Sequence, residues 1–144
     1  MEYLKLSRNL IISRDKSKLD VIQIHDYISN ISYWGKERTL EQVELSIDKS
    51  VCFGVYLNNE QVAFARVVSD TVAFAYLLDV IVFDKHQGKG FGKLLIGTIL
   101  NYREFKTVNW LLRTSDAKGL YEKFGFTEIN NPTGYMRKPA EING

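Results

Sequence analysis

The sequence contains little cysteine, little histidine and little net charge. It has one cysteine, two histidines and only a small excess of positive charge. The single cysteine, Cys52, excludes a disulfide within the chain and a cysteine metal cluster. The two histidines, His25 and His86, lie far apart in the sequence, so we expect no metal site. The net charge of +2, from 19 basic and 17 acidic residues, argues against a protein that binds nucleic acid.

Long apolar runs are also missing. No stretch approaches the roughly 20 apolar residues of a membrane-spanning helix, and the first ten residues lack the apolar core of a signal peptide. We therefore expect a cytoplasmic protein with no membrane partner. A composition of 45% apolar and 25% charged residues excludes a disordered chain. The length of 144 residues predicts one domain over residues 1–144, with a frayed tail at 139–144.

The pattern of apolar residues and turn signals predicts alternating strands and helices. Strands are predicted at 10–12, 51–57, 61–69, 72–83, 108–113, 126–129 and 135–137, and helices at 17–29, 39–47, 90–102 and 117–124. Ser17 is the predicted cap of the first helix, and Thr39 with Gln42 forms a capping box for the second. The three consecutive strands from 51 to 83 predict an antiparallel meander. This order predicts an α/β fold of three layers, α/β/α, around a mixed and mostly antiparallel sheet.

A glycine-rich turn joins the longest predicted strand to a helix. It reads Gln87-Gly88-Lys89-Gly90-Phe91-Gly92. Glycine lets the backbone approach a ligand closely, and the free N–H groups of a first helical turn attract anions, so this arrangement predicts a phosphate site. A purely structural turn is the alternative. A P-loop is excluded because Gly88-Lys89 is not followed by Ser or Thr, and the Rossmann spacing G-x-G-x-x-G is absent.

Two segments of the chain resemble the GNAT family of N-acetyltransferases. Gln87, Gly90 and Gly92 match its acetyl-CoA motif, and the segment from Ala117 to Phe126 is similar to its A-x-x-L-Y-x-K-x-G-F pattern. The resemblance covers about residues 10–138 and implies a GNAT-like fold. It also implies an acetyl-CoA-dependent transfer to a primary amine of a small molecule or peptide, by direct attack and without a metal. Many members are homodimers, and the sequence leaves that state open. A non-catalytic acyl-CoA-binding module is the alternative function.

The resemblance implies which residues contact acetyl-CoA. The pantetheine arm would pair with the backbone of Val80 and Val82, and Thr114 stands where many members place an asparagine that contacts this arm. The pyrophosphate would lie on the amides of the glycine-rich turn, with added charge from two lysines. The implied cofactor-binding set is Val80, Val82, Gln87, Gly88, Lys89, Gly90, Phe91, Gly92, Lys93 and Thr114.

Two residues are the implied catalytic pair. Tyr121 matches the family's usual general acid, and its alternative role is a core tyrosine on an amphipathic helix. Asp79 interrupts an apolar strand near where members carry the base. It could take a proton from the amine through water or hold a cationic substrate, and its alternative role is to fix the strand. His25 and His86 are weaker candidates for the base, and we expect a surface position for both.

Adjacent aromatic residues mark the predicted acceptor side. Tyr33 and Trp34 lie in the loop between the first two helices, which borders the acceptor site in the family. They would wall the acceptor pocket, and Trp34 could stack on a cationic amine; a hydrophobic plug on the core is the alternative. Arg66 and Tyr76, on the meander, are weaker candidates for the same pocket. Cys52 is predicted to be an inert buried thiol.

Overall fold

A computed structural model describes residues 3–131 and 134–141 of the chain. The chain divides into two compact units, Met1–Arg113 and Thr114–Gly144. Among the described residues, the first unit contains the sheet and three α-helices, and the second contains one short α-helix.

The first unit is a sheet whose strand order follows the chain order. The strands are β1 (Tyr3–Lys5), β2 (Leu10–Ser13), β3 (Val51–Leu57), β4 (Glu60–Ser69), β5 (Phe74–Val82) and β6 (Asn109–Leu111). The helices are α1 (Val21–Asp26), α2 (Leu40–Asp48) and α3 (Phe91–Asn101) in this unit, and α4 (Lys118–Glu122) in the second. Neighbouring strands from β1 to β5 are antiparallel, and β6 runs parallel to β5. The predicted meander and the mixed, mostly antiparallel sheet are confirmed.

Apolar residues cover both faces of this sheet, as the three-layer prediction requires. Ile24 of α1 and Val43 of α2 pack in one cluster with Cys52 of β3. The next residue, Phe53, points to the opposite face because side chains alternate along a strand. Phe53 contacts the rings of Tyr102 and Phe105, which directly follow α3. Helices therefore flank the sheet on both sides, and the predicted fold class is confirmed.

The start of the first helical segment differs from the prediction. Ser17 does not cap a helix; Asp15 caps a single 3₁₀ turn there, and Asp20 caps α1 by accepting from the N–H of Gln23. Aspartate is as good a cap as serine, so the local signal was ambiguous. The chain then widens into a π-helical turn at Tyr27–Ile31. The capping box of α2, formed by Thr39 and Gln42, is confirmed.

Three strand predictions differ from the structure. β1 was not predicted, because its three residues are all exposed and show no alternation. Residues 126–129 and 135–137 were predicted as strands and form none. Short apolar runs form strands only when a neighbouring strand pairs with them, and sequence pattern alone does not supply that information. Among the described residues no helix is long and apolar enough to cross a membrane.

Tyr56 on β3 offers a test of how the core is packed. Its side chain is buried, and within residues 3–131 and 134–141 its hydroxyl has no hydrogen-bond partner. A buried hydroxyl without a partner costs about 1–3 kcal/mol. We therefore expect Tyr56→Phe to leave the free energy of unfolding unchanged or to raise it by about 1 kcal/mol. A urea titration would measure this, and a clear loss of stability would show that the hydroxyl has a partner.

Candidate active site

A β-bulge in β5 sets the geometry of the candidate site. Phe64 of β4 pairs with Ile81 and Arg66 pairs with Leu78, so two residues of β5, Asp79 and Val80, stand opposite one residue of β4. Asp79 has a φ of 49°, in the left-handed region that aspartate tolerates better than most residues. Bulges bend a strand and redirect its side chains, and they are frequent beside active sites.

The Asp79 carboxylate is buried beneath three donors. Its Oδ1 accepts a hydrogen bond from Trp34 Nε1 at 2.9 Å. Its Oδ2 accepts from Arg38 Nη1 at 3.0 Å and from Arg66 Nε at 2.6 Å. The Asp79 side chain is only 2% exposed, against 24% for Arg38 and 13% for Arg66. We call these four residues the Asp79 cluster; it ties the loop before α2 to the bulge.

The edge of β5 that faces away from β4 is open beyond Tyr76. Within the described residues, β6 pairs with β5 only at Phe74, Ala75 and Tyr76. The N–H of Phe83 donates to Val62 of β4, so by alternation the backbone groups of Val82, and of Val80 two residues earlier, point away from β4. These are the two residues predicted to pair with the pantetheine arm. Their polar groups face the open edge.

The glycine-rich turn runs directly from this edge into α3. Gly88 and Gly90 have φ values of 77° and 87°, and nothing lies within 4 Å of a Cβ built on either. Gly90 is the N-cap of α3 and has no side chain to accept from the first amides. The N–H groups of Phe91, Gly92 and Lys93 precede the first intrahelical bond, which Leu94 donates to Gly90. The predicted anion site is therefore an exposed turn whose first helical amides have no backbone partner within residues 3–131 and 134–141.

Gln87 braces the turn against the strand. Its Nε2 donates to the carbonyl oxygen of Val82 at 2.9 Å and lies 3.3 Å from both Tyr27 Oη and Asp84 Oδ1. A carbonyl oxygen has two lone pairs, so Val82 keeps one for a ligand. The Tyr27 ring in turn lies 6.4 Å from the Trp34 ring. Tyr27 thus connects the Asp79 cluster to the glycine-rich turn.

The predicted acceptor residues are placed near the bulge. Tyr33 and Trp34 are 52% and 37% exposed, and their rings meet edge to face at 5.2 Å. Arg66, predicted as a weak pocket candidate, belongs to the Asp79 cluster. Tyr76 is half-buried on β5, and two-residue alternation along the paired strands places it on the same face of the sheet as Arg66.

Two residues of this region were missed by sequence reasoning. Arg38 lies in a charged stretch of loop, where an arginine gives no pattern that distinguishes it from a solvated one. Tyr27 lies within the helix predicted at 17–29, where a tyrosine gives no local signal of a role in the site. The predicted surface position of the histidines is also wrong for His86, which is 7% exposed. His25 is half-buried, and its Nε2 lies 3.0 Å from the Arg38 carbonyl oxygen.

In the part of the chain that the structure describes, no group of acidic, histidine and cysteine side chains could hold a metal.

The second unit contains the other predicted residues, Thr114 and Tyr121. The Thr114 hydroxyl accepts from the N–H of Ala117 at 3.0 Å and so closes the turn before α4. Tyr121 is 8% exposed, and its ring packs edge to face on Phe126 at 5.8 Å. Gly125, with a φ of 93°, adopts the left-handed conformation shortly after α4. Cys52, in the first unit, is buried, and burial raises its pKa to about 11, which keeps the thiol protonated at neutral pH.

The chain is similar in sequence to known N-acetyltransferases. Among curated proteins, the chain is 34% identical over 87 residues to the ribosomal protein bS18-alanine N-acetyltransferase of Haemophilus influenzae, which covers 58% of this chain and 59% of that protein. It is 31% identical over 104 residues to the uncharacterized N-acetyltransferase ycf52 of Gracilaria tenuistipitata var. liui, covering 67% of this chain and 56% of the relative. The chain therefore spans about three-fifths of the length of these relatives.

A solved structure and a family model extend the match. The structure of a candidate GNAT acetyltransferase from Xanthomonas campestris pv. campestris superposes with a TM-score of 0.87 at 39% identity, covering 91% of this chain and 93% of that one. A family model described as an acetyltransferase (GNAT) domain matches residues 48–128, more than half of the chain. These residues include the bulge, the open edge of β5 and the glycine-rich turn. The chain belongs to the GNAT family of acetyltransferases.

Proposed function

We propose that this protein is an N-acetyltransferase that moves an acetyl group from acetyl-CoA to a primary amine by direct attack. The observation that carries the proposal is the continuity between the open edge of β5 and the free amides at the start of α3. One surface thus offers strand-pairing groups and then an anion site. Acetyl-CoA has the same order of parts, an amide-containing arm followed by a pyrophosphate.

The backbone and two side chains would hold the co-substrate. Val80 and Val82 would pair with the amides of the pantetheine arm, as an added strand pairs with a sheet edge. The turn from Gln87 to Lys93 would bind the pyrophosphate through its N–H groups and the positive end of the α3 dipole. Lys89 and Lys93, both exposed, would add charge. Thr114 stays a prediction as a pantetheine contact, with its hydroxyl engaged in the turn before α4.

Acetyl-CoA supplies an activated thioester, and the protein supplies position and proton transfer. The amine nitrogen forms its bond to the acetyl carbon while the bond from that carbon to sulfur breaks. An N–H near Val80 would donate to the carbonyl oxygen as negative charge develops there. Tyr121 would give its proton to the departing sulfur, and the proton that the nitrogen loses as the amide forms would return through water to the Tyr121 phenolate. With ordinary pKa values near 10 for a phenol and near 8.5 for a thiol, that transfer is uphill by about 2 kcal/mol.

Asp79 has two candidate roles in this reaction. A general base must reach the amine directly or through one water. Both Asp79 oxygens already accept hydrogen bonds, and the side chain is 2% exposed. These contacts support the alternative role, a fixed carboxylate that holds the bulge. The role as base stays a prediction, and the Asp79→Asn variant separates the two roles.

A thiol-release assay tests the proposed function. Free CoA is measured as it forms from acetyl-CoA with a panel of amines; Cys52 is 1% exposed and should not react with the reagent. We expect Tyr121→Phe to lower kcat by about 100-fold, because general acids contribute about 10²–10⁴-fold. Tyr135→Phe, at a tyrosine of the same unit that is 64% exposed, is the matched control and should keep the wild-type rate.

The assay also separates the enzyme from a non-catalytic acyl-CoA-binding module. A module would bind acetyl-CoA and release no thiol with any amine. Equal rates of thiol release for the wild type and Tyr121→Phe would show that Tyr121 is not the general acid. The proposal that the protein is an acetyltransferase would still stand. The acceptor is either the amine of a small molecule or the amine at the end of a peptide. The Haemophilus relative is described as an alanine N-acetyltransferase of a ribosomal protein, which keeps a protein N-terminus among the candidates.

A further inference from the structure

The Asp79 cluster carries more positive than negative charge. It contains two guanidinium groups, Arg38 and Arg66, and one carboxylate. Among the described residues, neither arginine makes an ion pair with any other acidic side chain. The second contact of Arg66 is the neutral hydroxyl of Ser50, at 3.1 Å. The cluster therefore keeps one positive charge beyond what Asp79 balances.

The Arg38 guanidinium has more N–H donors than it uses within the described residues. A guanidinium carries five N–H groups, and the side-chain hydrogen bond that the described residues give Arg38 runs from Nη1 to Asp79. Its Cζ and Nη2 lie beside Gly35, 3.4 Å from the position that a Cβ would take there. The ion pair with Asp79 holds the side chain in place, and its exposed fraction of 24% means that it also meets solvent. Such a fork suits a planar or tetrahedral anion.

The Arg38 guanidinium is close to the proposed reaction centre. Asp79, to which Arg38 is bonded, directly precedes Val80, the residue proposed to polarise the thioester carbonyl. Adjacent residues of a strand are about 3.3 Å apart along the chain. An anion bound by Arg38 would therefore lie within the length of a small molecule from the acetyl group. Trp34 and Tyr33, both exposed, would cover the carbon chain between the anion and the amine.

We propose that the acceptor is an amine that also carries an anionic group, a carboxylate or a phosphate, which Arg38 binds with the support of Arg66. This inference rests on the proposed acetyl transfer and names the class of its acceptor. It disfavours polyamines, because a second ammonium group would meet the uncompensated positive charge. It also assigns Trp34 to the carbon chain of the acceptor rather than to a cation.

Matched amines test the proposal with the wild-type enzyme. The series keeps one carbon chain of two to four atoms and varies the far end among phosphate, carboxylate, hydroxyl and ammonium. The thiol-release rate should give a kcat/KM at least about tenfold higher for an anionic amine than for its hydroxyl analogue, as expected for a charge-assisted contact. Comparison of kcat/KM between the phosphate amine and the carboxylate amine identifies which anion the enzyme prefers.

The variant Arg38→Gln supplies the second readout. The ratio of kcat/KM for the anionic amine to that for its hydroxyl analogue should fall at least about tenfold, mostly through KM. Arg103→Gln, at an exposed arginine of the same unit, should keep the wild-type ratio. Equal or better use of hydroxyl or ammonium amines by the wild type would overturn the proposal while the acetyltransferase function stands. Thiol release with none of the amines would overturn both.

Discussion

Replacement of Gly90 by alanine is expected to weaken the binding of acetyl-CoA by about tenfold or more. Gly90 has a φ of 87° and is the N-cap of α3. A Cβ in left-handed backbone costs about 1–2 kcal/mol, which the turn can relieve by changing its conformation. Because nothing lies within 4 Å of that Cβ, the protein itself does not exclude it. The added methyl group would instead occupy the space in which the proposed pyrophosphate lies.

The matched control is Gly134→Ala. Gly134 has a φ of 92° and nothing within 4 Å of a Cβ, so the backbone strain is the same while the residue lies outside the glycine-rich turn. Isothermal titration should give a raised Kd for Gly90→Ala and an unchanged Kd for Gly134→Ala. If both variants lose the same stability and both bind acetyl-CoA as the wild type does, Gly90 serves only the turn.

The variant Asp79→Asn is expected to lower the free energy of unfolding by about 3 kcal/mol or more, the usual cost of removing one partner from a buried ion pair. Asparagine tolerates the φ of 49° at this position, so the backbone is not the cause. The loss arises because two guanidiniums keep no buried counter-charge. Glu104→Gln, which breaks the more exposed pair with Arg14, should cost about 1 kcal/mol or less.

A double variant shows whether charge is the cause. Arg66→Met removes one of the two guanidiniums and keeps an unbranched side chain. Asp79→Asn combined with Arg66→Met should lose less stability than the sum of the single losses, by about 1 kcal/mol or more. Strict additivity in urea titrations would contradict the Asp79 cluster as a coupled unit.

The same Asp79→Asn protein distinguishes the two roles of the carboxylate. Removal of a general base lowers kcat by about 10²–10⁴-fold. A carboxylate that only holds the bulge should cost less than about tenfold in kcat once the rate is corrected for the folded fraction. We expect the smaller effect, because Trp34, Arg38 and Arg66 occupy both oxygens.

Several features that depend on neighbouring residues in the chain were predictable, although the cap of the first helix, placed at Ser17, was not. The capping box of Thr39 and Gln42 lies within one helical turn, and the meander follows from three apolar runs separated by short polar turns. The glycine-rich turn was located by its composition and by the periodicity on either side. In each case the signal and the structure lie within a few residues of each other.

Features that depend on distant residues were not predictable. Asp79 was identified as unusual in an apolar strand, but its bonds join it to Trp34, Arg38 and Arg66, of which the first two lie more than 40 residues away in the chain. Nothing local reveals that a loop arginine completes such a cluster. The strand predictions at 126–129 and 135–137 are wrong for a related reason, since a strand requires a partner that periodicity does not report.

The most direct test of the central claim is a map of backbone amide shifts in isotope-labelled protein titrated with CoA and with pantetheine alone. CoA should shift the amides of Gly88 and of Gly90 to Lys93 most strongly, together with Val80 and Val82. Pantetheine, which lacks the pyrophosphate, should shift Val80 and Val82 and leave the turn unchanged. Saturation by CoA with no change in the turn amides would contradict the assignment of this strand edge and helix start to acetyl-CoA.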